Sequence, residues 1–237
     1  MELKLEGLSV QIADGVGQIL LDRPEKMNTW SPAMERGLRE QLERWSGDPQ
    51  VRTILLTGRG RAFCAGVDME ALKQASETGG RVPTRARVDG DLAQRYSYML
   101  DVPQPIICAL NGAAAGVGVV LALYSDIRIA ARSARLAAVF ARRGLVAEHG
   151  IGWLLPRLIG HARAAEWLIS GRTMSAQEAE RIGLVARIYD DEDFADAALA
   201  YAADIATNCS PRSVRIIKRQ LIQGCYVPRC FGGLHSR

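Results

Sequence analysis

Short apolar runs separated by turns dominate the first half of the chain. Residues 8–12 and 16–21 are apolar and joined by Ala13-Asp14-Gly15, a spacing that predicts a β-hairpin. Ser31-Pro32 predicts a helix start, because serine caps the free backbone N–H groups and proline suits the first turn. Met34, Leu38, Leu42 and Trp45 then recur at helical spacing as far as Gly47-Asp48-Pro49.

Three more strands are predicted at residues 52–57, 105–110 and 126–130, with a helix of small residues at 116–124. Residues 70–95 are charged and weakly periodic, and we expect a helix followed by a surface loop around 76–83. The alternation of strands and helices favours an α/β fold in which parallel strands are joined by right-handed crossovers.

The pattern becomes helical after residue 150. Ser175-Ala176-Gln177-Glu178 is a capping box, and Gly183 closes the helix that it opens. Ser210-Pro211 opens the last helix, with Val214, Ile217 and Leu221 on one side. The other helices of this part are predicted at residues 150–159, 162–170 and 193–207.

Two turns made of small residues follow apolar strands and precede predicted helices. The first is Arg61-Ala62-Phe63-Cys64-Ala65-Gly66-Val67-Asp68-Met69, and the second is Asn111-Gly112-Ala113-Ala114-Ala115-Gly116-Val117-Gly118. Such a turn leaves N–H groups without intrahelical partners, with the positive end of the helix dipole behind them. Two of these turns could direct two N–H groups at one oxygen, an arrangement that stabilises a thioester enolate. The turns therefore favour acyl-CoA chemistry.

Four segments taken together resemble the crotonase (enoyl-CoA hydratase/isomerase) superfamily from about Leu5 to about Leu221. They are Leu21-Asp22-Arg23-Pro24-Glu25-Lys26-Met27-Asn28, Ala62 to Asp68, Asn111 to Gly118, and Ser125-Asp126-Ile127-Arg128-Ile129-Ala130. The resemblance implies a crotonase-like spiral of ββα units in residues 1–150 and a helical, trimer-forming region in residues 151–237. It also implies an enzyme of the enoyl-CoA hydratase/isomerase type.

The C-terminal tail, residues 225–237, departs from the family pattern. Relatives usually continue with amphipathic helices at the subunit interface, whereas residues 225–237 show no helical period. We expect a truncation or an altered reading frame there. Homotrimers or paired trimers remain the expected assembly.

The resemblance implies roles for residues around the two turns. The peptide N–H groups of Val67 and Val117 match the oxyanion hole, with buried valines beside tight turns as the alternative. Asp68 either caps the next helix or shapes the adenine pocket. The other positions expected to bind substrate are Met27, Ala65, Met69 and Ala113, with core packing as the alternative for the two methionines.

The catalytic carboxylates differ most from the family pattern. Hydratases of the family carry two glutamates, at positions that here match Val120 and Phe140, and neither residue transfers protons. Glu148 is the remaining acid, and apolar Val146, Ile151 and Trp153 nearby are expected to desolvate it. The alternative is an acid at a helix N-terminus.

One proton carrier suits a shift of the double bond from 3-enoyl to 2-enoyl, while hydratases are the commoner members of the superfamily. A catalytically idle acyl-CoA-binding protein and dehalogenase-like displacement by Glu148 are the other readings. His149 is a second possible proton carrier, with a surface or capping role as its alternative.

Composition and charge limit the classes of binding partner that we expect for this chain. The chain is 48% hydrophobic and 24% charged, as in ordinary globular proteins, and its formal charge of +4 is spread along the sequence. That argues against a nucleic-acid surface and suits a polyanionic ligand such as CoA, which is here part of the substrate rather than a separate cofactor. The basic pairs Arg142-Arg143 and Lys218-Arg219 are expected on solvated faces, with CoA phosphates as the alternative.

The numbers and spacing of the cysteines and histidines argue against disulfides and metal sites. Five cysteines without CxxC spacing indicate neither a disulfide framework nor a zinc site, and three histidines are too few for a histidine-based metal centre. No signal peptide is evident, and no apolar run approaches the roughly 18 residues of a membrane span. A cytoplasmic location is the expectation.

Overall fold

The computed structural model describes residues 3–68, residue 70 and residues 95–226. The strands in this part are β1 (Leu3–Leu5), β2 (Leu8–Ala13), β3 (Val16–Leu21), β4 (Thr53–Gly58), β5 (Ala62–Cys64), β6 (Ile106–Leu110), β7 (Ala113–Ala115), β8 (Ile127–Ala131), β9 (Arg135–Ala137), β10 (Thr173–Ser175) and β11 (Arg187–Tyr189). The α-helices are α1 (Pro32–Ser46), α2 (Tyr98–Asp101), α3 (Val117–Tyr124), α4 (Ile151–Ile159), α5 (His161–Ser170), α6 (Ala176–Arg181), α7 (Phe194–Asn208) and α8 (Pro211–Tyr226).

The strands predicted from apolar runs form the larger sheet, in the order β1-β2-β3-β4-β6-β8-β11. Strands β2 and β3 pair antiparallel, as the hairpin signal predicted, and β3, β4, β6 and β8 pair parallel. The predicted α/β fold with parallel strands is therefore confirmed. The helix and loop expected at 70–95 lie outside the described residues except at the two ends.

A smaller sheet, in the order β10-β9-β7-β5, was not predicted. Its strands are three residues long, too short for an alternation of apolar and polar positions to appear. Three parallel strands of the larger sheet are each followed by a strand of the smaller sheet, since β4 leads to β5, β6 to β7 and β8 to β9. This repetition gives the spiral of ββ units that the resemblance implied.

Helix α7 covers the outer face of the larger sheet. Ala198, Ala202 and Ala206 recur every four residues along it, and they are buried in one cluster with Leu55 and Ile107 of the sheet. Small side chains at this spacing let the helix lie close to the strands. The opposite face of the sheet belongs to the main core, which also holds the buried side of α1.

Helix α1 begins where the sequence predicted. The hydroxyl of Ser31 accepts a hydrogen bond from the Met34 N–H at 3.2 Å, and Pro32 occupies the first helical position. Met34, Leu38, Leu42 and Trp45 are buried. The helix thereby fixes the segment before it, which includes Trp30, against the core.

Helix α8 differs from its prediction in two ways. It continues through Tyr226, so the helix includes two residues that the sequence assigned to the atypical tail. Its predicted apolar side is exposed in the single chain, with Ile217 at 52% and Leu221 at 62%, whereas Lys218 is buried. The prediction of Lys218 on a solvated face is therefore wrong.

Lys218 anchors α8 through a buried ion pair. Its ammonium donates to Asp126 Oδ2 at 2.7 Å and to the Gln104 carbonyl at 3.0 Å. The same carboxylate oxygen accepts the Ile106 N–H at 2.7 Å. Burial lowers the pKa of Lys218, and the charge of Asp126 opposes that shift.

Asp126→Ala should lower the free energy of unfolding by about 3–5 kcal/mol, because removing one partner leaves a buried charge uncompensated. Urea titration of both proteins measures the difference. Asp190→Ala, which removes the partner of the exposed Arg132, is the control and should leave the midpoint nearly unchanged. Equal midpoints for all three proteins would contradict the proposed anchoring of α8.

Candidate active site

The two small-residue turns meet at one edge of the smaller sheet. Strands β5 and β7 are parallel neighbours, with Ala62 opposite Ala113 and Cys64 opposite Ala114. Since parallel strands place their carboxyl ends at the same edge, the turns that follow them lie side by side. A Cβ atom on Gly116 would lie 3.9 Å from the Gly66 Cα, which shows that the turns touch.

Two N–H groups at these turns have no hydrogen-bond partner within the described residues. Trp30 N donates to the Gly66 carbonyl at 2.7 Å and Asp68 N donates to the Trp30 carbonyl at 2.9 Å, which leaves the Val67 N–H between them unused. Val117 is the first residue of α3, where N–H groups lack intrahelical acceptors. Val67 is 41% exposed and Val117 is buried.

Glycine is required at two points of the second turn. Gly116 has φ 51° and ψ −116°, a conformation that residues with a Cβ rarely adopt. At Gly118, a Cβ atom would lie 2.2 Å from the Cys64 carbonyl oxygen, so α3 approaches the first turn closely. These two glycines fix where the Val117 N–H lies relative to the first turn.

Two asparagine side chains, the buried Asn28 and the half-buried Asn111, hold the approach to the first turn. Asn28 Nδ2 donates to the Ala62 carbonyl at 2.8 Å, and Asn111 Nδ2 donates to the same oxygen at 3.2 Å. Asn28 also accepts the Arg23 N–H at 2.8 Å. Both residues belong to motifs used for the family resemblance, but the sequence alone did not reveal that they share one acceptor.

The predicted substrate-binding residues lie around the first turn where they are described. Ala65 N donates to the Met27 carbonyl at 3.1 Å, and Ala113 pairs with Ala62 in the smaller sheet. Met27 has φ 51°, which sets its backbone apart from ordinary core positions. Met69 lies outside the described residues.

Asp68 is held by an ion pair. Its Oδ2 accepts from Arg23 Nη2 at 2.8 Å, and its Oδ1 accepts the Glu70 N–H at 3.1 Å, the contact of a capping side chain. Asp68 and Arg23 line a cleft of about 320 Å³ together with Lys26 and Glu70. Whether this cleft holds adenine stays a prediction.

Glu148 lies in the turn before α4 and is only partly enclosed. Its side chain is 44% exposed, and its carbonyl accepts the Ile151 N–H at 3.3 Å. Ile151 is buried, but Val146 is 75% exposed. Of the apolar residues expected to desolvate this carboxylate, Ile151 is thus buried, whereas Val146 is exposed in the single chain.

His149 is more enclosed than its neighbour. Its carbonyl accepts from the Tyr124 hydroxyl at 2.7 Å, and its ring lies against Tyr96 with centroids 5.1 Å apart and planes at 87°. Its Nε2 atom lies 3.9 Å from Glu148 Oε2. Burial lowers the pKa of His149 below 6.5, because the imidazolium loses hydration.

The comparisons with known proteins identify the family. The model of the enoyl-CoA hydratase/isomerase family matches residues 11–227. This chain belongs to that family. It is 38% identical over 203 residues to the 1,2-epoxyphenylacetyl-CoA isomerase of Escherichia coli K12, which covers 86% of this chain and 77% of the relative.

Further relatives support the same assignment. The chain is 42% identical over 212 residues to a probable enoyl-CoA hydratase, EchA12, of Mycobacterium tuberculosis, covering 88% of this chain and 74% of the relative. The crystal structure of an enoyl-CoA hydratase EchA12_1 from Mycobacterium marinum has a TM-score of 0.75 at 39% identity, covering 91% and 96% of the two chains. These matches confirm the crotonase-type fold.

The resemblance matches Val120 and Phe140 to the two glutamate positions of the family's hydratases. Both side chains are buried in the main core. The Phe140 carbonyl accepts the N–H groups of Arg143 and Leu145, which forms the turn after β9. Both side chains therefore contribute to core packing.

No cluster of three or more histidine, cysteine or acidic side chains in the described part of the chain could hold a metal ion. None of its helices combines the length and apolar character that a membrane crossing requires. Arg142, one of the predicted basic pair, is exposed and donates to the Ser170 carbonyl at 2.8 Å.

The lowered pKa of His149 predicts a pH dependence of stability. Below about pH 6.5 the unfolded chain binds a proton more readily than the folded chain, so stability should fall as the pH decreases through that range. His149→Asn, which keeps a residue tolerated at φ 60°, should flatten this fall. Chemical denaturation at a series of pH values tests it, and parallel curves for the two proteins would show that His149 is not responsible.

Proposed function

We propose that this protein is an acyl-CoA thioester enzyme of the enoyl-CoA hydratase/isomerase type. The observation that carries the proposal is the pair of N–H groups at Val67 and Val117, unpartnered within the described residues and placed on touching turns. Two fixed donors directed at a thioester oxygen stabilise the enolate that forms when a neighbouring carbon loses a proton. Removing one such donor typically costs about 10²–10³ in rate.

Glu148 is the proposed proton carrier. In a shift from 3-enoyl to 2-enoyl thioester, its carboxylate takes a proton from C2, and the electron pair moves onto the thioester oxygen between the two N–H groups. The same carboxyl group then returns the proton to C4, and the C2–C3 double bond forms. One carboxylate completes this cycle, whereas hydration also needs a positioned water molecule.

The names of the relatives include both isomerases and hydratases. The Escherichia coli relative is named an isomerase and the Mycobacterium tuberculosis relative a probable hydratase. A third, 34% identical over 230 residues, is the (E)-benzylidenesuccinyl-CoA hydratase of Thauera aromatica. The absence of a carboxylate at positions 120 and 140 favours isomerisation for this chain.

Assembly into trimers or paired trimers belongs to the proposal. The exposed apolar side chains Ile217 and Leu221 on α8 support a subunit contact, because they would be covered in an oligomer. Light scattering at micromolar concentration tests it, and a monomer would contradict it. A cytoplasmic location stays a prediction.

The function is tested by turnover on a panel of enoyl-, dienoyl- and hydroxyacyl-CoA thioesters. Conversion of 3-enoyl to 2-enoyl thioesters faster than hydration of 2-enoyl thioesters is the expected result. Tight binding without conversion of any member would instead favour a catalytically idle acyl-CoA-binding protein. The buried Val120 and Phe140 are the observation behind that second candidate.

A further inference from the structure

The buried ring of Tyr96 and the half-buried ring of His149 form a pair beside Glu148. Their edge-to-face contact is the favoured geometry for aromatic neighbours, and it fixes the plane of the imidazole. The backbone of His149 is fixed as well, by the hydrogen bond from Tyr124 and by a left-handed conformation at φ 60°. The direction in which the imidazole faces Glu148 is thus set by its surroundings.

Tyr96 is itself held from two sides. Arg95 donates to both carboxylate oxygens of Glu35, with Nε at 2.6 Å from Oε1, and the Arg95 guanidinium lies 5.7 Å from the centroid of the Tyr96 ring. On its other side Tyr96 meets Trp30, with ring centroids 6.4 Å apart. Tyr96 is fully buried, which leaves its ring little freedom to turn.

Contacts of Trp30 and Tyr124 connect this pair of rings to the two turns that carry the Val67 and Val117 N–H groups. Trp30 hydrogen-bonds through its backbone to Gly66 and Asp68, on either side of Val67. Tyr124, which donates to the His149 carbonyl, is the last residue of the helix that begins at Val117. The position of the Glu148 turn is therefore coupled mechanically to both proposed N–H donors.

We propose that His149 and Tyr96 are positioning residues, which hold the Glu148 carboxylate in place relative to the two N–H groups. The inference rests on the proposed function, since it requires Glu148 to carry the proton. His149 Nε2 lies 3.9 Å from Glu148 Oε2, beyond a hydrogen bond in the free protein, and such contacts often tighten when substrate binds. Neither residue exchanges a proton with the substrate.

The charges around His149 give the proposal a pH signature. Among the described residues, Glu148, Glu35 and Arg95 are the charged groups that act on its imidazole, and Tyr96 packs against it as a neutral phenol. When His149 binds a proton, its imidazolium attracts the Glu148 carboxylate and holds it in an ion pair. The carboxylate held in this ion pair is less free to take the substrate proton, so kcat should fall as His149 becomes protonated at acid pH.

His149→Asn is the first test, with His161→Asn as the matched control at an exposed position. The His149 variant should lose about 10- to 100-fold in kcat with KM changed far less, because misplacing a catalytic group by about 1 Å has costs of this size. The acid limb of its pH profile should also fall less than that of the wild type, because protonation of residue 149 no longer contributes to the loss of kcat. A merely structural role of His149 would leave the shape of the acid limb unchanged.

The second test compares Tyr96→Leu with Tyr96→Phe. Phenylalanine keeps the edge-to-face contact with His149 and should retain much more kcat than leucine, which removes it. Tyr124→Phe, which deletes the hydrogen bond from the Tyr124 hydroxyl to the His149 carbonyl, provides a mild variant if the others do not fold. Its kcat should fall at constant KM.

The outcomes separate this inference from the proposed function. If Glu148→Gln abolishes turnover while His149→Asn matches the His161→Asn control in kcat and acid limb, the positioning role is wrong and the proposed function stands. If Tyr96→Leu and Tyr96→Phe are equally active, the ring contact has no role. Full activity of Glu148→Gln would instead remove the proposed proton carrier itself.

Discussion

Glu148→Gln should lower kcat by about 10²–10⁴-fold in the isomerase assay, because a glutamine amide cannot accept the proton that the enolate step releases. The substitution keeps the size of the side chain and its place in the turn before α4. KM should change little, since the thioester oxygen and the CoA portion bind elsewhere. Steady-state rates on a 3-enoyl-CoA substrate measure the loss.

The control is Glu192→Gln, an equivalent change at an exposed position, which should leave both kcat and KM as in the wild type. Hydratase activity should be assayed separately on a 2-enoyl-CoA substrate. Nearly full activity of Glu148→Gln in both assays would exclude this carboxylate as the acid/base, and His149 would be the next residue to test.

Elements with their own strong local signal were predictable from the sequence. The hairpin of β2 and β3, the capped start of α1 and the capping box before α6 each depend on residues close together in the chain. Hydrophobic periodicity and capping chemistry report such local structure directly. The fold class followed because these elements alternate in a way that few architectures accommodate.

Elements defined by contacts distant in sequence were missed. Strands β5, β7 and β9 are three residues long and become strands only through pairing with one another. Lys218 carries the signal of a solvated charge, and only its approach to Asp126 explains why it is buried. Local pattern contains no information about such partners.

Only part of the candidate site was predicted, again because the local pattern contains no information about partners distant in sequence. The two turns stand out in the sequence because small residues are conspicuous between a strand and a helix. The rings of Trp30 and Tyr96 have no such signal, since single aromatic residues in apolar or charged surroundings suggest only packing. Their relation to His149 depends on a fold that joins segments far apart along the chain.

Gly116→Ala should lower kcat by about 10²–10³-fold, the usual effect of losing one oxyanion donor. The nearest atom to an added Cβ is the Gly66 Cα at 3.9 Å, so the methyl group fits the space. The backbone is the obstacle, because φ 51° with ψ −116° is accessible to glycine and rarely to alanine. The turn must rearrange to relieve this strain, and the Val117 N–H then moves away from the thioester oxygen.

Gly183→Ala is the matched control for this prediction. Gly183 also has a positive φ, of 80°, with nothing within 4 Å of an added Cβ, and it lies after α6 rather than at the two turns. Left-handed backbone costs a residue with a Cβ about 1–2 kcal/mol, so Gly183→Ala should lower stability by about this amount in urea titrations. Gly116→Ala should lose at least as much, because its backbone conformation is rarer still for a residue with a Cβ. Only Gly116→Ala should lose kcat as well. If the two variants were equally destabilised and equally active, the Val117 N–H would not be an oxyanion donor, and stabilisation of the enolate would have to come from other groups.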